Sequence, residues 1–159
     1  MQSEPTIIPQ EDVSAIVEFC DEVCCGNVQA KEFCHLWFQY CHGIDDLIDL
    51  GVPTVTHEQI LELFIMANVI YSSEFYTAHR TILQPVVMLV TNAYADVVKW
   101  EKSDINRRRR MADVLRCCGN EMFFAVAMIC GGWKHLRSLS ARLRERSWEL
   151  QHDANDEPN

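Results

Sequence analysis

One predicted helix, residues 28–50, carries acidic and histidine side chains at spacings that place them on a single face. Because an α-helix turns by about 100° per residue, these side chains fall within an arc of roughly 140°. The polar stripe consists of Glu32, His35, Gln39, His42, Asp45, Asp46 and Asp49. Aromatic and aliphatic residues occupy the other face, so the helix is amphipathic.

Unpaired carboxylates on this stripe suggest a cation. Asp45 and Asp49 stand at i and i+4 and repel each other, and Lys31 is the only cationic residue of the segment. Aspartate oxygens suit Mg²⁺, and neighbouring imidazoles would also admit Mn²⁺ or Zn²⁺. We therefore predict a site for Mg²⁺ or another divalent cation. Its ligands are Asp45, Asp46, Asp49 and His42. The alternative is that the stripe simply faces water.

Such a site would serve a hydrolase acting on a phosphate ester or a nucleoside diphosphate bond, because the cation screens phosphate charge and activates water. In this hypothesis Glu32 or His42 is the base, and Arg116 clamps the charge of a small phosphorylated ligand. The competing hypothesis is a non-catalytic helical protein, an oligomer with a structural or interaction role. Its stripe would face solvent or bridge subunits.

Secondary site candidates come from other predicted helices. Asn92 and Asp96 share one helical face, and Asn92 follows an apolar run, so it points inward or lies at a surface edge. Asn120 and Glu121 directly precede the apolar residues 122–124. A carboxylate entering a core needs a partner, for which Arg116 is a candidate. The remaining candidate is His35, on the stripe itself.

The polar residues of the helix predicted at 104–130 allow two interpretations. Arg109, Asp113, Arg116 and Asn120 recur at i, i+4, i+7 and i+11, so they share one helical face. In one interpretation Arg116 or Glu121 lines a phosphate pocket, and in the other this face is an ordinary ion-paired surface.

Residues 45–49 have the form D-D-x-x-D. This pattern resembles the first aspartate-rich motif of the trans-isoprenyl diphosphate synthases, all-α proteins that hold a diphosphate through Mg²⁺. It is also similar to the E-E-x-x-E helix of the all-α NTP pyrophosphohydrolases, short helical oligomers that include the dimeric dUTPase-like group. Both resemblances imply Mg²⁺ bound by Asp45, Asp46 and Asp49. For the synthases the nearest candidate for the second acidic motif is Asn92-x-x-x-Asp96 with Glu101, which faces away from Asn92. The second acidic motif of the pyrophosphohydrolases has no counterpart downstream.

A longer order of motifs resembles an uncharacterised family of tailed-phage and marine metagenomic proteins. It comprises H-x-x-D-D-x-x-D at 42–49, G-x-P at 51–53, F-Y-x-x-H at 75–79, a proline-started helix at 85–92, and an apolar helix ending in Gly-Gly at 122–132. The resemblance implies an all-α fold and a role for His42, Asp45, Asp46 and Asp49. It implies no particular reaction.

Composition limits the remaining function classes. The chain has 159 residues, of which 48% are hydrophobic, and a formal charge of −9, so we expect one globular domain that does not use nucleic acid as its main partner. The basic run at 107–110 is interpreted as a solvated helix face, with a phosphate-binding patch as the alternative. Eight cysteines without a C-x-x-C pair, and an acidic N-terminus, predict reduced thiols in a cytoplasmic protein. The longest apolar run, 122–130, is too short for a membrane span.

Capping and breaking residues predict the elements that position these groups. We expect a flexible leader at 1–9, a helical bundle at 10–150 and a disordered polar tail at 151–159. A capping box of Thr56 and Gln59 opens one helix, and Ser73 and Ser103 cap others. Pro85 suits a first helical turn. The helices are predicted at 10–25, 28–50, 57–71, 73–80, 85–101, 104–130 and 133–150. The fold class is therefore all-α, a single-domain bundle of five to seven helices, expected to form a homodimer.

Overall fold

The computed structural model describes residues 18–51 and 54–151, and within these ranges the chain is helical with no strand. The helices are α1 (residues 18–24), α2 (Val28–Leu50), α3 (His57–Ser72), α4 (Glu74–Ala78), α5 (Arg80–Glu101), α6 (Asn106–Leu115) and α7 (Asn120–Gln151). A short 3₁₀ turn, Arg116–Gly119, joins α6 to α7. The prediction of an all-α helical bundle is confirmed. The predicted leader, and the predicted tail beyond Gln151, lie outside the described residues.

Local capping chemistry explains the boundaries of α2 and α3. The Asn27 side chain accepts a hydrogen bond from the Ala30 backbone N–H at 3.0 Å, and Gly51 ends α2 with a φ of 64°, which glycine adopts without strain. At α3, the Gln59 N–H donates to the Thr56 hydroxyl at 3.2 Å, and the Thr56 N–H donates to the Gln59 side chain at 2.9 Å. The expected capping box is therefore present.

Two predicted boundaries are wrong. Pro85 does not open a helix, because α5 already begins at Arg80 and Pro85 is its sixth residue. Its missing N–H removes one hydrogen bond, to the Thr81 carbonyl, in the second turn of α5. The helix expected at 104–130 is divided by the 3₁₀ turn. The Ser103 hydroxyl accepts from the Ile105 N–H, and α6 has Ile105 as its N-cap with no side-chain cap.

Helix α7 bends where the sequence predicts a break. Gly132 has a φ of 74° and a ψ of −173°, a conformation outside the helical region that suits glycine. Before this point α7 is largely buried, with Met122, Phe123 and Val126 in the core. After it, arginines on α7 form ion pairs with α1, including Arg142 with Glu22 at 2.7 Å.

Helix α2 packs against α3, α4 and α7, while α5 packs against α4, α6, α7 and the 3₁₀ turn. Aromatic rings fill the core, and the Phe33 and Phe75 ring centroids lie 5.5 Å apart. Gly43 allows a close approach of α3, because a Cβ there would lie 2.6 Å from a methyl group of Leu63. These contacts fix the face that α2 presents to α5.

Two stretches of the described chain, Arg80–Glu101 and Asn106–Ser147, are long and apolar enough to cross a bilayer by length and composition alone. The second stretch is interrupted by the 3₁₀ turn and by the Gly132 bend. Core helices of soluble proteins meet the same criterion, so the criterion does not assign either stretch to a membrane. The cytoplasmic location stays a prediction from the sequence.

Candidate functional site

A cavity of about 480 Å³ lies between α2, α5 and the C-terminal part of α6 with the following turn. Its size falls within the range of about 300 to 1,000 Å³ that is usual for small-molecule sites. Four predicted site residues line it: His42, Asp45, Asp49 and Arg116. The fold therefore brings part of the α2 stripe together with an arginine that lies 67 residues or more away in sequence.

Carboxylates from two helices share this cavity. Asp45 and Asp49 project from successive turns of α2, and Asp113 is contributed by α6. Asp113 was not predicted as a site residue. Its spacing of three residues from Arg116 was the available signal, because residues at i and i+3 share a helix face. The end of α6 and the start of the 3₁₀ turn thus supply a carboxylate and a guanidinium to the site.

Tyr94 on α5 donates a hydrogen bond from its hydroxyl to the Asp45 carboxylate. The pKa of Tyr94 is raised, first by burial, then by this hydrogen bond, and further by the charges of Asp45, Asp49 and Glu101. The same charges that disfavour a tyrosinate favour a cation, so the electrostatic environment beside Tyr94 is negative. Sequence reasoning missed Tyr94, since no spacing links it to the α2 stripe.

Arg116 is paired within the protein. Its guanidinium lies 3.2 Å from the Glu101 carboxylate, and the two side chains are 37% and 25% exposed. The partner proposed from sequence, Glu121, instead forms an ion pair with Arg144 at 2.7 Å. The cavity lining therefore contains one guanidinium whose charge is partly compensated by Glu101, against three carboxylates.

The remaining wall is aromatic and apolar. The Trp37 indole N–H donates to the Gly119 carbonyl at 3.1 Å, which ties α2 to the 3₁₀ turn. The Tyr40 ring lies beside it, with centroids 6.1 Å apart. Burial, followed by the charges of Cys118 and Asp45, raises the pKa of the Cys41 thiol to about 12. At neutral pH this thiol is protonated, so it is a poor nucleophile.

His42 lies at the cavity with its ring against Phe38, the centroids being 3.9 Å apart. Its Nδ1 is 3.2 Å from the Phe38 carbonyl oxygen and donates to it in the Nδ1–H tautomer. That contact fixes the ring at the edge of the polar stripe and leaves Nε2 as the acceptor.

Other predicted residues of the α2 stripe lie elsewhere. Glu32 and Asp46 are exposed and do not line the cavity. His35 is half-buried, and its Nε2 is buried without a hydrogen-bond partner among the described residues. Only the edge of the stripe that adjoins the apolar face contributes to the site, because that edge faces α5 and α6.

The secondary candidates on α5 and α7 are also separate from the cavity. Asn92 is exposed and Asp96 is half-buried, and neither lines it. Asn120 is half-buried at the first position of α7, and Glu121 is held in its ion pair with Arg144. None of these residues lines the cavity that contains Asp45 and Asp49.

Within residues 18–51 and 54–151, no group of three or more His, Cys, Asp or Glu side chains is arranged to hold a metal ion. A cage made entirely of protein ligands is therefore not preformed in this part of the chain. Mg²⁺ requires fewer protein ligands than such a cage supplies, since it usually keeps several waters and binds one or two carboxylates together with substrate phosphates. Asp45 and Asp49 fit that arrangement, whereas Asp46 points away from the cavity.

Comparison with protein-family models, with curated proteins and with solved structures finds no match to this chain. The resemblances of the D-D-x-x-D helix and of the longer motif order stay interpretations of short sequence patterns.

Proposed function

We propose that this protein binds a small phosphorylated ligand together with a divalent cation, Mg²⁺ or a similar ion, in the cavity between α2, α5 and α6. One observation carries the proposal: Asp45 and Asp49 of α2 and Asp113 of α6 line the same cavity as Arg116. Acidic and basic groups from separate segments converge there, as expected for a ligand site.

The balance of charge favours a cation in the site. Asp45, Asp49 and Asp113 outnumber Arg116, which is already paired with Glu101. A phosphate group alone would be repelled by the net negative charge of the cavity. A bound divalent cation makes the local potential positive, so the phosphate is then attracted. The same cation would offset the repulsion between Asp45 and Asp49, which costs helix stability when it is uncompensated.

Residues on each side of the cavity have a distinct role in the proposed binding. Asp45 and Asp49 are the carboxylates that would hold the cation, and Arg116 is the donor suited to a phosphate oxygen, because guanidinium groups bind phosphate in a planar, bidentate manner. Trp37 and Tyr40 provide apolar surface for the organic part of the ligand. Tyr94 orients Asp45 through its hydrogen bond.

Hydrolysis of a phosphate ester or a nucleoside diphosphate bond is the reaction that such a set would serve. The bound cation would supply Lewis acidity and a more acidic water. His42 is the imidazole at the cavity and is the group positioned to accept a proton from water there. Glu32, the other base predicted from the sequence, is exposed outside the cavity and has no part in this proposal.

The alternative function is a non-catalytic structural or interaction protein. It is favoured by Glu32 and Asp46, which are exposed as an ordinary solvated helix face would be. In that case Asp45 serves chiefly as the acceptor that joins α2 to α5 through Tyr94. Binding and turnover measurements on the same variants separate the two functions.

Binding is tested by thermal unfolding followed by circular dichroism, with Mg²⁺ or Mn²⁺ and with or without pyrophosphate and nucleoside triphosphates. A ligand present at 100 times its Kd stabilises the folded state by about 2.7 kcal/mol. We expect a raised midpoint in the wild type, a lost shift in Asp49→Asn, and a full shift in Asp46→Asn, the control on the same helix outside the cavity. Equal shifts in both variants, or no shift in the wild type, would remove the proposal.

Turnover is measured as release of orthophosphate or pyrophosphate from the same nucleotides with Mg²⁺. His42→Gln should abolish release while it preserves the thermal shift, because the cation is held by Asp45 and Asp49. If the ligand stabilises the wild type but the wild type releases no orthophosphate or pyrophosphate, the binding site is supported and the hydrolase hypothesis is excluded.

A further inference from the structure

The outer face of α3 is apolar although it lies at the surface. Leu61, Phe64 and Ile65 are 59%, 64% and 63% exposed, and Ile60 and Val69 beside them are 40% and 46% exposed. The inner face packs against α2 and α4. A helix that is hydrophobic on every side is normally covered on every side, so this exposed face is unusual for an isolated chain.

The exposed apolar residues of α3 are arranged almost symmetrically about one point along the helix. If the midpoint between Phe64 and Ile65 is taken as the origin, Leu61 corresponds to Asn68 and Ile60 corresponds to Val69. A two-fold axis through this midpoint brings the two helices together in antiparallel orientation, with each residue against its counterpart. Four apolar residues, Ile60, Phe64, Ile65 and Val69, then meet apolar residues, and the Asn68 side chain, which donates to its own helix at Phe64, meets Leu61.

The charges on α3 select the same orientation. Its acidic residues, Glu58 and Glu62, both lie in the first half of the helix, and no charged residue lies in the second half. Parallel pairing would place identical carboxylates side by side, which is destabilising. With a rise of about 1.5 Å per residue, antiparallel pairing separates the two Glu58 residues by about 20 Å along the axis and the two Glu62 residues by about 7 Å. Each acidic half then faces an uncharged half.

We infer that the partner of this face is a second copy of the chain, and that α3 forms an antiparallel helix pair across a two-fold axis centred between Phe64 and Ile65. The face lies outside the cavity, since no residue of α3 lines that cavity. The dimer therefore stands independently of the proposed ligand, and neither result decides the other.

Light scattering after size-exclusion chromatography tests the interface on the full chain. We expect the wild type to have the mass of two chains, and Phe64→Glu and Ile65→Glu to have the mass of one. Met88→Glu is the matched control, because Met88 is 63% exposed on α5. It should stay dimeric, and circular dichroism should show wild-type helicity in all variants. A monomeric wild type, or dissociation by Met88→Glu, overturns the inference. A monomeric wild type that binds phospholipid vesicles instead assigns the face to a lipid surface.

The orientation has a test of its own. Leu61→Lys and Asn68→Glu should each weaken the dimer, with Leu61→Lys raising the dimer Kd by about tenfold or more through lost apolar burial. In antiparallel pairing the two substituted positions face each other, so the double variant Leu61→Lys/Asn68→Glu should recover most of the affinity. A double variant weaker than both single variants indicates parallel pairing and overturns the two-fold arrangement.

Discussion

The Tyr94 hydroxyl donates its hydrogen bond to the Asp45 carboxylate across the boundary between α5 and α2. The donor lies in the middle of a long helix, and the acceptor is the first acid of the D-D-x-x-D sequence. This bond both joins two helices and orients a carboxylate at the cavity. A substitution at either residue therefore affects stability and ligand binding together.

Tyr94→Phe should lower the free energy of unfolding by about 1 to 3 kcal/mol, because a hydrogen bond to a charged acceptor is lost and the carboxylate keeps only water as a donor. Urea denaturation measures the change. Tyr40→Phe is the matched control, since Tyr40 lines the same cavity and its hydroxyl has no hydrogen bond among the described residues. Equal losses in the two variants would contradict a specific role for the Tyr94 bond.

Glu101→Gln should strengthen binding of pyrophosphate in the presence of Mg²⁺, because Arg116 is released from its ion pair and the cavity becomes less negative. Arg116→Ala should weaken it. Isothermal titration calorimetry measures both Kd values. Glu121→Gln, which breaks the ion pair of Arg144 outside the cavity, should leave the affinity unchanged. A gain in Glu121→Gln as large as in Glu101→Gln would show only a general charge effect.

Gly43→Ala should gain about 1 kcal/mol less stability than alanine gains over glycine in an open helix interior, because the added Cβ would lie 2.6 Å from a methyl group of Leu63 and that flexible side chain must shift. Gly119→Ala is the control, since its Cβ would make an ordinary contact of 3.6 Å with the Cys41 sulfur. Chemical denaturation compares them. The double variant Gly43→Ala/Leu63→Ala removes the clash, so the two substitutions should be less than additive in cost. Full additivity would exclude steric conflict as the cause.

Stability should fall as the pH rises above about 9. The pKa of the Cys41 thiol is raised from 9.0 to about 12 by burial and by the charges of Cys118 and Asp45. Between these values the unfolded chain has lost this proton while the folded chain keeps it, so raising the pH favours unfolding. Urea midpoints from pH 7 to 11 measure the slope. Cys41→Ala should flatten it, and Cys25→Ala, at an exposed cysteine, should not.

The helices that begin and end with local hydrogen bonds were predictable. Asn27, Gly51 and the Thr56 capping box act within a few residues, so the sequence signals the bounds of α2 and the start of α3 directly. The 3₁₀ turn at Arg116–Gly119 was not predictable, because its Gly119 carbonyl is held by Trp37, 82 residues earlier in the chain. Nothing local to the turn distinguishes it from continuous helix.

The site could be predicted only in part for a similar reason. Periodicity places Asp45, Asp46 and Asp49 on one stripe, but Asp46 lies about 100° around the helix from Asp45. Which edge of the stripe adjoins another helix depends on the packing of α5 and α6, and this packing selects Asp45 and Asp49. Asp113 and Tyr94 join them through tertiary structure, so their contribution has no signature within α2.

The indole of Trp37 is 3% exposed, forms part of the cavity wall and is fixed by its bond to the Gly119 carbonyl. Trp133, by contrast, is 63% exposed on α7. Indole emission depends on the polarity around the ring, so the two residues emit from different surroundings. The chain thus carries an intrinsic fluorophore at its own pocket. A molecule that enters the pocket would change the short-wavelength part of the tryptophan emission without any added label.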